Sequence, residues 1–198
     1  MPISYTNRKN QTYFLCQGTT KTGKARYIFS KSTEQKHTLD EIPAGFHIEE
    51  SVNGVVSLVK DHQQFIQPDE IEIVEAALRR HPKGHDYRTS VKGKQIIVYE
   101  RLGPDAEDMV EIFDDVLPMY SHQQLLNNMG AFLDRNAQYS PMLHFKLVDA
   151  AERIFSAERA TYVVSLPEWM EICGRAPLQS LVGQIIPLLD TDKYFELI

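Results

Sequence analysis

The chain has 198 residues, with 21 Lys and Arg against 27 Asp and Glu and a net charge of −6 at neutral pH. Its 42% hydrophobic and 24% charged residues are those of a folded chain, not a disordered one, and the length suits one ordinary domain or two small ones. No apolar run reaches the length of a membrane span and no apolar signal region opens the chain, so a cytoplasmic protein without membrane contact is expected.

Charge is distributed unevenly. The first 39 residues hold seven bases (Arg8, Lys9, Lys21, Lys24, Arg26, Lys31 and Lys36) against one acid, Glu34, so an acidic or polyanionic partner comes into view. Inside this segment, 12–17 and 24–30 form a hairpin. Ala25, Tyr27 and Phe29 alternate with Lys24, Arg26, Ile28 and Ser30, the period of a strand with one covered face. Gly18 and Gly23 bracket the connecting loop. The stretch from Gly18 to Lys24 has the G-x-x-x-x-G-K spacing of a phosphate-binding loop. Such a loop needs a Ser or Thr next and then a helix; Ala25 and a strand-like RYIF run follow instead, so both requirements fail.

A second hairpin spans 46–51 and 55–60 around Val52-Asn53-Gly54, where Asn-Gly favours a turn matched to strand twist. Pro68 then opens a helix with Asp69, Glu70 and Glu72 near its N-terminus and Ile71, Val74, Ala77 and Leu78 as its apolar stripe. Arg79-Arg80-His81 before Pro82 and Gly84 stops it. Strands at 87–91 and 95–101 flank Lys92-Gly93-Lys94. Between Arg79 and Lys94 lie six bases and one acid, Asp86, a second basic cluster.

An amphipathic helix is expected over 105–117, with Met109, Val110, Phe113, Val116 and Leu117 inward. Glu107, Asp108, Glu111, Asp114 and Asp115 face outward without a base among them. A hard-cation site needs ligands on irregular backbone around a glycine turn, so this face is a solvated or partner-facing surface. Ser121 and Gln124 form a capping box for a helix to about Gln138, striped by Leu125, Leu126, Met129, Phe132 and Leu133. A third hairpin pairs 142–148 with 154–165. The register that joins Leu147 to Phe155 also joins Val148 to Ile154, Asp149 to Arg153 and His144 to Glu158. A short helix is expected over 167–173 around Trp169, stopped by Gly174, and another over 177–186. The tail Tyr194-Phe195-Glu196-Leu197-Ile198 is too apolar to stand in water and should dock as a strand or turn.

Together these give an α+β fold, three antiparallel β-hairpins with four or five amphipathic helices in a compact unit. Residues 1–62 form a β-rich basic N-terminal module and residues 63–198 an acidic α+β body. The runs YTNRK, TYFL, ESVNGVVSL, VKGKQI and KYFELI resemble a family of uncharacterised bacterial proteins. The resemblance spans most of the chain and implies no activity, cofactor or catalytic residue.

Three constellations carry candidate chemistry. His81 and His85 with Asp86 have metal-like spacing, but Pro82 and Gly84 break the helix such a site uses and the neighbouring bases repel a cation. His144 opposite Glu158 is a candidate acid–base pair without a nucleophile beside it. Cys173, read at a helix C-terminus, faces a dipole that opposes a thiolate, and both it and Cys16 read as small buried thiols. No metal or cofactor is called for. The leading reading is a non-catalytic interaction protein that meets another protein, or a second copy of itself, through segregated basic and acidic surfaces. A rival is binding of single-stranded nucleic acid, with Arg8, Lys9, Lys21, Lys24 and Arg26 on the phosphates and Tyr13 and Tyr27 stacking on bases. The third is an enzyme that uses His144 and Glu158.

Overall fold

The computed structural model describes residues 1–34, 37–104, 106–113, 121–163 and 166–197, and its sheets and helices form an α+β fold. The first strands are β1 (Ser4–Thr6), β2 (Thr12–Thr19), β3 (Ala25–Ser30), β4 (His37–Thr38), β5 (Phe46–Glu50) and β6 (Val56–Lys60). Helix α1 (Pro68–Arg80) precedes β7 (Tyr87–Lys92) and β8 (Gln95–Leu102), then α2 (Ala106–Phe113) and α3 (His122–Asn136). The chain closes with β9 (Gln138–Asp149), β10 (Ile154–Val163), β11 (Leu166–Pro177), α4 (Leu178–Ile185) and α5 (Asp192–Glu196). Two units result. One joins Met1–Asp61 with Leu102–Gln138, the other His62–Arg101 with Tyr139–Ile198.

In the first unit β2 is the central strand. β3 pairs along one edge, while β1 and β4 take successive stretches of the other. Neither β1 nor β4 stands out in the sequence, because two or three residues are too few to show a period. The β5–β6 hairpin turns at Gly54, whose φ of 77° lies in the left-handed region that glycine adopts without strain. Asn7 locks this turn to the one between β1 and β2. Its Nδ2 donates to the Gly54 carbonyl at 2.6 Å, and its Oδ1 accepts from the Lys9 and Gln11 amides, each at 3.0 Å. Glu50 adds a second tie, accepting from the Tyr5 hydroxyl and the Arg8 amide, both at 2.9 Å. The Ser121 capping box forms as expected and opens α3, whose Leu125 is buried. Phe132 departs from the expected stripe: it is 61% exposed, while Leu126, Met129 and Leu133 are half-buried. The outer end of the expected 105–117 helix, including Val116 and Leu117, lies outside the described residues.

In the second unit one sheet runs in the order β11-β10-β9-β8-β7. Its inner face places Leu143, Phe145, Leu147, Phe155, Ala157 and Ile172 in a core with α1 and α4. Alternation at period two puts these six residues on one face, and burial of such side chains is the main stabilising term. Arg159 lies within this core because its Nη1 donates to the Tyr194 carbonyl at 2.8 Å.

Three local expectations are corrected here. Residues 167–173 are strand, not helix: they lie in β11 and pair with β10, which supplies hydrogen bonds that an isolated short helix cannot match. The tail docks as the short helix α5, with Tyr194 buried, and not as a strand or turn. In the third hairpin Leu147–Phe155 and His144–Glu158 pair as read, but a bulge makes Asp149 the partner of Ile154. Val148 therefore loses its expected partner. Arg153 does not face Asp149; it takes a φ of 51° in the loop and sends its guanidinium to Glu70.

That last contact is a bidentate pair in which Glu70 is only 6% exposed and also accepts from the Gln67 amide to cap α1. Removing the cation strands a buried carboxylate, which typically costs about 3 kcal/mol or more. Arg153→Met is therefore expected to lose about 3 kcal/mol in urea unfolding, and Glu70→Gln combined with Arg153→Met to lose less than the single change. Equal losses in the single and double variants would show that the pair does not hold the hairpin loop to α1.

Candidate interaction site

The tip of the β2–β3 hairpin is ordered by its own backbone. The Thr20 amide donates to the Lys24 carbonyl at 2.8 Å, the Gly23 amide to the Thr20 carbonyl at 2.9 Å, and the Lys24 amide to Thr20 Oγ1 at 3.0 Å. Gly23 supplies the positive φ, 78°, that closes the loop. The strand β3 follows directly, so the Gly18–Lys24 spacing has no helix to face a phosphate. Lys21, Lys24 and Arg26 all project from this tip into solvent, and among the described residues none of their side chains makes an ion pair or hydrogen bond.

The other four residues of the basic set are engaged inside the unit. Arg8 is structural: its guanidinium donates to the Asp134 and Ala137 carbonyls at 3.2 and 2.7 Å and so holds the end of α3. The Lys9 stem covers the β5–β6 turn, where a Cβ added to Gly54 would sit 3.3 Å from its Cε. Tyr27 is half-buried edge-on against Phe46, with ring centroids 5.4 Å apart. Tyr13 is half-buried, donates to Gln11 Oε1, and has the Lys31 ammonium over its ring at 5.6 Å. The Arg8 and Tyr27 contacts depend on groups far away in the sequence, which a charge count cannot register.

On the acidic side, Asp108 and Glu111 stand exposed on α2 while Val110 is buried beneath them. Asp114, Asp115 and the side chain of Glu107 lie outside the described residues.

The His144–Glu158 pair lies on the outer face of the second unit's sheet. His144 Nδ1 is 3.8 Å from Glu158 Oε2, too far for a hydrogen bond, and among the described residues it is a buried nitrogen without a hydrogen-bond partner. Glu158 is shared with Lys146, whose ammonium approaches at 3.3 Å. The indole of Trp169 stacks on the imidazole, with centroids 3.2 Å apart and planes at 19°. Trp169 reaches this position because β11 is a strand, with Ala160 opposite it on β10. Reading the segment as helix hid that contact; the alternation of Trp169, Glu171 and Cys173 with Met170 and Ile172 was the signal for it. Burial lowers the His144 pKa to about 4. Glu158 works against that shift and Lys146 adds to it.

The remaining candidates are accounted for by local geometry. Both His81 nitrogens are occupied: Nδ1 accepts from the Lys83 amide at 3.2 Å, which leaves Nε2–H to donate to the Leu189 carbonyl at 3.2 Å. Among the described residues no group of His, Cys, Asp and Glu is arranged to hold a metal ion. In the second basic cluster Arg79 pairs with Glu72 and Glu75, Lys83 pairs with Asp190 at 2.7 Å, and Arg88 and Lys94 lie over the rings of Tyr139 and Phe65, while among the described residues Arg80 and Lys92 have no ion pair. Cys173 is not at a helix end. It occupies a bulge of β11 at a φ of 61°, and burial pushes its thiol pKa up, away from a reactive thiolate. Cys16 is a buried free thiol of β2. No described helix is long and apolar enough to cross a membrane.

No family model matches the chain, and comparison with curated proteins and with solved structures returns no match.

The state of His144 sets a pH dependence. Because its pKa is near 4 when folded and about 6.5 when unfolded, the unfolded chain binds the extra proton between those values. Its contribution to stability is full above pH 6.5 and is lost as pH falls toward 4, by about 3 kcal/mol in all. Titration of the imidazole by NMR should give a midpoint far below that of an exposed histidine, and His144→Leu should flatten this part of the stability profile. A midpoint near 6.5 would contradict the burial argument.

Proposed function

We propose that this chain is a non-catalytic interaction protein whose β2–β3 hairpin tip docks on an acidic surface of another protein or of a second copy. The observation that carries the reading is the trio Lys21, Lys24 and Arg26, exposed at one hairpin tip with no carboxylate paired to them among the described residues. An unpaired cation keeps its electrostatic attraction for a partner, whereas a paired one has already given it up. The acid-rich stretch that includes Asp108 and Glu111 offers a surface of complementary charge should the partner be a second copy.

The rival ligand, single-stranded nucleic acid, would need aromatic platforms beside these cations. Tyr13 and Tyr27 are half-buried and engaged with Lys31 and Phe46, and Arg8 is committed to α3, so a protein carboxylate surface is the better fit. The catalytic reading of His144 and Glu158 is the weakest. An imidazole with a pKa near 4 is a poor proton carrier at neutral pH, and Trp169 covers its face.

Poly-L-glutamate is a suitable probe. Binding should be measurable at low ionic strength and fade as salt rises, because exposed charges are screened within about 10 Å at 0.1 M. Changing Lys21, Lys24 and Arg26 together to Ala should weaken it by between about threefold and a hundredfold without moving the unfolding midpoint, since each exposed charge contact is worth about 0.2–1 kcal/mol. No binding at low salt, or binding untouched by the triple change, would refute the proposal. A single-stranded oligonucleotide that binds far more tightly than polyglutamate of equal charge would establish the rival.

A further inference from the structure

Beyond the hairpin, the second unit contains a groove of about 380 Å³ between the C-terminal turn of α1 and α4, within the usual size range of small-ligand pockets. Buried Val182 and Ile186 line it, with Ala77 and the rings of Pro82 and Pro187 beside them. The imidazole of His81 also lines it. Since both ring nitrogens are already hydrogen-bonded, that ring adds carbon surface and not a polar contact. Among the described residues the polar lining comes down to Arg80 and Gln179, with no carboxylate. Arg80 donates through Nε to the Ala76 carbonyl at 3.0 Å, which orients the guanidinium and leaves both Nη groups unengaged among the described residues.

Gly183 supplies an independent observation. It lies inside α4, where glycine is about 1 kcal/mol less favourable than alanine. Its φ is not in the left-handed region, and a Cβ built on it would meet nothing within 4 Å. Neither backbone conformation nor packing within the chain therefore calls for glycine here. What its missing side chain leaves is room in the groove, directly against the helix backbone.

We propose that this groove binds a small monocarboxylate with an apolar tail, the carboxylate on the Arg80 guanidinium and the tail along Pro82, Gly183 and Pro187. Arg is suited to the head group because two parallel N–H groups match two carboxylate oxygens. The tail gains by leaving water for the exposed apolar lining of Pro82, Gly183 and Pro187. Gln179 is placed to donate a further hydrogen bond at the rim.

Octanoate, octanol and octylamine, titrated separately into the isotopically labelled full chain at millimolar concentration, test both halves of the proposal. Octanoate should shift the amides of Ala77, Arg80, Val182 and Gly183, octanol should do so at least about tenfold more weakly, and octylamine more weakly still. Arg80→Gln should abolish the preference for octanoate over octanol. Gly183→Leu should block both ligands while leaving the unfolding midpoint unchanged or raised, since leucine favours helix. Should Gly183→Leu fail to fold, Gly183→Ala gives the same comparison with a smaller intrusion. Equal binding of all three ligands, an Arg80→Gln variant that keeps the preference, or no shift in this groove with any ligand would overturn the proposal.

Discussion

Asn7 is the residue on which the first unit's geometry turns. A side-chain amide has one carbonyl and one NH2, and here both are used on backbone, joining the β1–β2 turn to the β5–β6 turn at Gly54. Because Asn7 is buried, each of these bonds is made where water cannot substitute, and loss of any one would leave a polar group unsatisfied. The requirement extends to the neighbours. Gly54 must be glycine-like in φ, and the Lys9 stem lies across it. Glu50, bound to Tyr5 and the Arg8 amide, fixes the next layer.

Beyond the base of the sheet held in this way, the β2–β3 tip projects as a loop closed by its own hydrogen bonds. Its cations are positioned by strand register, with Arg26 opposite Gly18 and Ala25 opposite Thr19. Ordered presentation matters energetically, because a preorganised charge pays less entropy on binding than one on a mobile loop. The functional reading thus rests on a division within a single basic segment. The Arg8 guanidinium is spent on structure and the Lys9 stem packs on a turn, whereas Lys21, Lys24 and Arg26 make no such contacts among the described residues.

Much of the fold was legible because local rules and tertiary contacts agreed. Asn53-Gly54 marked its turn, Ser121 and Gln124 their capping box, and the match of Leu147 with Phe155 placed His144 opposite Glu158. Where local and tertiary terms conflict, the sequence misleads. Pro167, Glu168 and Gly174 imitate a helix start and stop, yet β10 needs a partner along its edge and 166–177 supplies it. The bulge at Val148 has no local signature, since it serves to bring Arg153 to Glu70, far earlier in the chain. The site divides along the same line. Exposure of the tip cations follows from alternation and loop position, whereas the commitments of Arg8, Tyr27 and Trp169 follow from contacts 19 or more residues away.

The central claim is that the unpaired tip, and not basic charge in general, makes the contact with an acidic partner. Amide shift mapping with a polyglutamate probe separates the two most directly, because the chain carries a second basic cluster between Arg79 and Lys94 as an internal control. The account predicts shifts concentrated from Thr20 to Arg26 that disappear as salt is added, with Arg79 and Lys83 unmoved because carboxylates already match their charges, and Arg88 unmoved because it donates to the His85 and Tyr87 carbonyls. Shifts centred on the Arg79–Lys94 cluster, or spread evenly over every basic residue, would contradict it.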